Sequence, residues 1–258
     1  MARSLPGDKG RSGLNAVSAC RTDELCVAVL ARLIGDVGHV AVGNASPIPG
    51  MAALLAQFRS GGKLRVSMLN SRRHNSFTDG GRELFDCAGQ GRIDVFFLGG
   101  GEIDGEANLN LVGIGDPDRL DVRFPGSFGS AYLYFAVPRV ILFREEHSPR
   151  TLVPKVSFVS APGTSPENVY RAGGPAALLT GKALFSYDKT IKRFRLDSVH
   201  PGETADSVRQ ATGFEFDTAD DVAATPEPDR ETLALIRGPV AREIGDAYPQ
   251  FAAQRAGV

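Results

Sequence analysis

The chain is poor in the residues that announce the common chemistries. Of its 258 residues only four are histidine and three are cysteine: Cys20, Cys26 and Cys87. No two histidines stand at metal-ligand spacing, so no structural or catalytic metal is expected. The cysteines are odd in number and form no C-x-x-C pair, which points to reduced thiols in a cytoplasm and not to a disulfide frame. Cys26 and Cys87 fall on apolar helix faces and read as core. Net charge is lacking too: 29 basic against 30 acidic residues leave −1, which argues against a nucleic-acid surface or an anionic-membrane binder. No apolar run reaches the roughly 18 residues of a membrane span, because Tyr132 to Phe143 is broken by Pro138 and Arg139. Met1 to Ser18 has no apolar signal core and reads as a disordered tail. Residues 1–20 are therefore set aside and 21–258 are taken as one domain without internal repeats.

What the chain has is glycine in the right places. Its 30 glycines and 16 prolines are spread among apolar segments, and 42% hydrophobic with 23% charged residues is an ordinary globular composition. Val95 to Leu98 form a short apolar run suited to a strand buried on both faces, and they empty into Gly99, Gly100 and Gly101. A bare backbone at the C-terminal end of a strand presents free N–H groups where open α/β sheets bind ligands. A second loop, Gly126-Ser127-Phe128-Gly129-Ser130, opens a helix and offers N–H groups for a carbonyl oxygen or a chain of amides. A third, Gly43-Asn44-Ala45-Ser46-Pro47, ends the strand Val37 to Val42, where an ordinary βα turn is an equal reading.

Around these loops, strands and helices alternate. Thr22 is placed to cap a helix that ends at Gly35, with Leu25, Val29, Leu33 and Ile34 at helical spacing. Helices are expected from Pro49 to Phe58 and from Gly81 to Ala88, and strands over Lys63 to Leu69 and Arg139 to Arg144. Val153 to Val159 reads as another strand. Ala177 to Ser186 and Arg193 to Val199 read as a hairpin turning at Tyr187-Asp188-Lys189. Thr204 to Thr212 is expected as a helix, Phe214 to Phe216 as a short strand, and Asp229 to Arg237 as the last helix. The pattern predicts an α/β fold with an open, mostly parallel, three-layer sheet and a C-terminal β-hairpin.

The segment GGGEID, Gly99 to Asp104, followed by ANLN, Ala107 to Asn110, resembles the GGA-[QE]-[ILV]-D-x-x-GN-x-N stretch of β subunits of class I CoA-transferases of the glutaconate CoA-transferase type. Gly126 to Ala131 resembles that family's next Gly-Ser loop. Ser198 to Gly202 with Ala211 to Phe214 resembles its HPG and TGF pair, and order and spacing agree from about Asp23 to Pro239. The resemblance implies the fold of that family, a coenzyme A thioester as substrate with no permanently bound cofactor, and a homologous α subunit as partner in a heterodimer or heterotetramer, with the acyl-CoA at their junction. It places Gly43, Asn44, Gly99, Gly100, Gly101, Asn108, Gly126, Ser127, Gly129 and Ser130 at the substrate.

At one position the chain departs from that pattern. In such transferases the strand corresponding to Lys63 to Leu69 carries a glutamate that attacks the thioester, and here the position falls on Ser67. No Asp or Glu lies between Gly61 and Ser76. Glu102 is then the candidate relocated carboxylate, with a loop-bracing role as the alternative. Ser67 is a serine nucleophile only if a histidine such as His74 reaches it, and its flanks carry no G-x-S-x-G elbow. The departure also fits the glutamate-less branch of the family, two-subunit hydrolases that open the last steroid rings as CoA esters. A non-catalytic CoA-binding chain is the third reading. Arg72 and Arg73 read as a solvated loop that could alternatively grip an anion, and His200 as a packed residue.

Overall fold

The computed structural model describes residues 20–116 and 118–255; the expected N-terminal tail lies almost wholly outside them. In chain order the elements are α1 (Thr22–Ile34), β1 (His39–Val42), α2 (Pro47–Arg59), β2 (Arg65–Met68), α3 (Gly80–Gly89), β3 (Val95–Leu98), β4 (Glu102–Ile103), β5 (Leu109–Asn110), β6 (Gly113–Asp116), β7 (Arg119–Arg123), α4 (Ser130–Ala136) and β8 (Arg139–Arg144). There follow β9 (Pro175–Thr180), β10 (Ala183–Asp188), β11 (Arg193–Val199), α5 (Ala205–Ala211), β12 (Asp217–Ala224), α6 (Arg230–Leu235), a π turn (Ile236–Val240), α7 (Ala241–Ile244) and α8 (Pro249–Arg255).

Eight strands form the central sheet in the order β12-β11-β10-β9-β8-β3-β1-β2. From β2 through β9 every neighbouring pair is parallel, β10 is antiparallel to both its neighbours, and β12 returns parallel to β11. The five parallel strands lie between helical layers, and β3, reading VFFL and buried at every residue, shows the unbroken apolar run that burial on both faces requires. Alternation along β3 sends Val95 and Phe97 into one core, with α1, α2 and the π turn, and Phe96 and Leu98 into the other, with α3, α4 and β11. The result is the expected three-layer sheet.

Five expectations need correction. The α1 cap is Arg21, because the Glu24 carboxylate reaches back to the Arg21 N–H at 2.9 Å. Val153 to Val159 is no strand: Pro154 has no N–H, and the N–H groups of Val156 and Ser157 go to Asp104 and Glu102 instead of a ladder. The expected strand Ala177 to Ser186 is broken at Gly181-Lys182, where Thr180 Oγ1 accepts from the N–H groups of Lys182 and Ala183, so the hairpin becomes a three-strand meander. The edge strand lies at Asp217–Ala224, after the phenylalanines: Phe214 and Phe216 pack against Phe194 and Phe185 under the sheet. The helix expected from Asp229 is not the last, since Pro239 lies in the π turn and α7 and α8 follow.

Candidate active-site cleft

The chain leaves β1 for β2 on one side and reaches β3 on the other, so strand order reverses between β1 and β3. Loops diverging from such a reversal leave a crevice at the strands' C-terminal ends. A cavity of about 1250 Å³ lies there, lined by Gly43 to Pro49 after β1, Gly99 to Gly101 after β3, and Phe143 to Glu146 at the end of β8. Ile114 of β6 and Val122 of β7, with Leu111 and Phe124 flanking that ribbon, form a wall, and Pro125 to Phe128 with Ser130 continue it. The lining is mainly apolar, with its charges, Arg144, Glu145, Glu146 and Arg150, gathered at one end.

The glycines after β3 are required by close approach. A Cβ on Gly99 would lie 2.8 Å from the Phe143 carbonyl oxygen, and one on Gly100 would lie 2.6 Å from the Glu102 carbonyl oxygen. Gly101 N–H donates to the Asn110 carbonyl at 2.8 Å, which fixes the turn against β5. Two non-glycine residues of the cleft loops, Ala45 at φ 52° and Phe128 at φ 41°, hold left-handed backbone, a strain that surrounding contacts must maintain.

The structure brings Gly43, Asn44, Gly99, Gly100, Gly101, Gly126, Ser127 and Ser130 to one cleft. The other four sequence candidates lie elsewhere. Gly129 packs over the Phe85 ring. Asn108 braces a turn, with Nδ2 donating to Asp104 Oδ2 at 3.2 Å and Oδ1 accepting from Gly163 N–H at 3.0 Å. Glu102 is buried, its carboxylate accepting from Asn110 Nδ2, Ser157 N–H and Ser157 Oγ at 2.8 to 2.9 Å. That is the loop-bracing alternative, on a two-residue strand of which both residues are buried.

Ser67 is fully buried in the middle of β2, beside Ala41 of β1. Its Oγ lies 2.8 Å from His39 Nε2 and 2.7 Å from Ser76 Oγ. The histidine that reaches it is therefore His39 and not His74, whose Nε2 meets Glu243 at 3.0 Å. His39 Nδ1 lies 2.8 Å from the Arg92 carbonyl, so Nδ1 carries the proton and Nε2 accepts from the serine. Burial holds the His39 pKa below its usual value, keeping the ring neutral. The strand end facing the cleft is Leu69, with Asn70 next to it, and neither is a carboxylate.

Sequence reasoning missed two contributions. The C-terminal segment ties the loops down: Tyr248 Oη accepts from Ser46 N–H, Asp246 accepts from Ser71 Oγ and from the N–H groups of Arg72 and Arg73, and Phe251 lines the cleft. At the β8 exit, Glu146 is held by Arg150, Arg144 and Ser148, whose hydrogen bonds keep its pKa low.

A crossover cleft with bare backbone on two strand exits, an apolar body and a charged end defines an α/β protein whose candidate site lies where the strand order of a mostly parallel sheet reverses. The chain belongs to the Coenzyme A transferase family, whose profile matches residues 16–211. It is 31% identical over 158 residues to the β subunit of 3-oxoadipate CoA-transferase from Pseudomonas knackmussii, covering 59% of this chain and 60% of that one. It is also 31% identical over 163 residues to the cholesterol ring-cleaving hydrolase IpdB subunit of Rhodococcus jostii, covering 60% and 62%. The matches thus span about three fifths of these curated relatives. Among solved structures, the decarboxylase AibA/AibB superposes with a TM-score of 0.73 at 26% identity, over 92% of this chain and 99% of that one. The mostly parallel α/β sheet is that of the class I CoA-transferases: glutaconate coenzyme A-transferase from Acidaminococcus fermentans shares it, with a TM-score of 0.73 at 21% identity, over 85% of this chain and 94% of that one.

Proposed function

We propose that this chain is the β subunit of a CoA-transferase-family enzyme that binds acyl-CoA thioesters in the crossover cleft and moves coenzyme A between carboxylic acids. The observation that carries the reading is the pair of strand exits, Gly43-Asn44 and Gly99 to Gly101, opening side by side into one apolar cleft. N–H groups there suit a thioester carbonyl, and the apolar wall suits the acyl chain. Gly126, Ser127 and Ser130 line the next wall, beside the path of the pantetheine amides. The partner is a homologous α subunit, in a heterodimer or heterotetramer, which completes the site over the open cleft. Coenzyme A enters as substrate and leaves as product, with no resident cofactor, and a cytoplasmic location fits the reduced thiols.

A second reading is favoured by one observation: the cleft end of β2 offers Leu69 and Asn70, while Ser67 is locked to His39. Without a carboxylate there, water attacking a ring carbonyl of a cyclic CoA ester takes the place of thioester exchange. The IpdB relative, named a cholesterol ring-cleaving hydrolase, supports this version.

The test is to co-purify the chain with its α subunit and supply acyl-CoA together with a second, isotopically labelled carboxylic acid. Label appearing in the CoA ester supports transfer, water-added acyl-CoA supports the hydrolase, and CoA binding with neither product reduces the chain to a binding role.

A further inference from the structure

Resting on the reading that the cleft holds an acyl-CoA thioester, the remaining question is which group of this chain reacts with it. The cleft lining contains two carboxylates, Glu145 and Glu146. Glu146 is engaged by two arginines and a serine, which lowers its pKa and blunts its lone pairs. Glu145 is different. It is solvent-exposed and is one of the cleft-lining residues, and among the described residues its carboxylate accepts no hydrogen bond and enters no ion pair.

Its backbone, in contrast, is fixed. The Glu145 carbonyl accepts from Gly181 N–H at 2.9 Å, and a Cβ on Gly181 would meet that same oxygen at 2.5 Å. Leu98 of β3 pairs with Leu142 of β8, so the chain reaches the triple glycine and Glu145 from neighbouring strand ends. The close approach of Gly99 to the Phe143 carbonyl holds these two exits together. A carboxylate with free lone pairs thus stands on a clamped backbone in the same cleft as the triple-glycine exit.

We propose that Glu145 is the carboxylate nucleophile of this chain, supplied from β8 in place of the missing carboxylate on β2. One Glu145 oxygen bonds to the thioester carbonyl carbon, the carbon–sulfur bond breaks, and coenzyme A leaves as thiolate from a mixed anhydride. The thiolate then attacks the Glu145 side-chain carbonyl carbon, the anhydride C–O bond breaks, and the acyl group leaves as its carboxylate. Glu145 now carries the thioester, and an acceptor carboxylate reverses the sequence.

The experiment uses the complex with its α subunit, acetyl-CoA, glutaryl-CoA and a bile-acid CoA thioester as probes, a hydroxylamine quench and peptide mass spectrometry. A hydroxamate at Glu145, with turnover lost by about a hundredfold or more in Glu145→Gln and CoA affinity unchanged by calorimetry, is the expected result. A hydroxamate on another residue, or turnover that survives Glu145→Gln, overturns the assignment and leaves the CoA-ester function standing. If the native complex neither binds nor turns over any CoA ester, that function fails and this proposal fails with it.

Discussion

Asn110 Nδ2 donates to Glu102 Oε2 at 2.8 Å, across the two-residue ladder in which Glu102 pairs with Asn110. The same carboxylate also takes the Ser157 N–H and hydroxyl. This residue pair is the brace beneath the triple-glycine turn, since Gly101 N–H bonds the Asn110 carbonyl.

Glu102→Ala leaves three donors around a buried site without their acceptor. A loss of roughly 1–3 kcal/mol per stranded group is expected, read as a lower urea midpoint. CoA-ester turnover should fall only with the folded fraction; a fully folded variant with no turnover would instead place Glu102 in the chemistry.

Ser67→Ala removes the donor to the buried His39 Nε2 and should destabilise the chain by about 1–3 kcal/mol. Turnover per folded molecule should stay near that of the native complex. Abolished turnover at unchanged thermal stability would contradict a purely structural serine.

Gly99→Ala sets a methyl group 2.8 Å from the Phe143 carbonyl, closer than side chains tolerate, so the β3 and β8 exits must separate. Calorimetry with coenzyme A should show affinity reduced tenfold or more, about 1.4 kcal/mol or greater. Gly61→Ala, at a turn remote from the cleft with φ 63° and open space around its Cβ position, should cost stability through backbone strain and leave affinity intact.

Burial pushes His147 down to about 4 from an ordinary 6.5, with Thr180 and Thr212 hydroxyls against its two ring nitrogens. Above pH 6.5 neither folded nor unfolded chain holds the proton. Between 6.5 and about 4 the unfolded chain binds it and the folded chain does not, so stability declines as pH falls through that window. The slope approaches about 1.4 kcal/mol per pH unit at most from this group. His39 and His200, lowered first by burial as well, add in the same direction. Urea midpoints at pH 7.5 and pH 5 should differ accordingly, and His147→Gln should flatten the difference; an unchanged slope would remove His147 from the account.

The parallel half of the sheet was legible in the sequence because strands buried on both faces are short apolar runs punctuated by glycine: β3 and β8 fall within the bounds their residues suggest. β12 was hidden, because an edge strand reading DTADDVAA is half solvated and carries no apolar alternation. The cleft's glycines were legible for the same reason as the strands. Glu102 and Ser67 were harder, since sequence order gives neither the face a side chain takes nor its partner, and the partner of Ser67 lies 28 positions earlier, on β1. Glu145 follows β8 directly in sequence, but that its strand end adjoins the triple-glycine exit is a fact of strand order.

The cleft wall made by Ile114 and Val122 stands on the β6–β7 ribbon, whose ladder closes on itself and adds no strand to the central sheet. Changing the length or composition of that ribbon therefore alters the width and texture of the cleft while leaving both cores as they are. The molecule separates the part that holds its shape from the part that shapes this wall, so the ribbon can be rewritten without repacking either core.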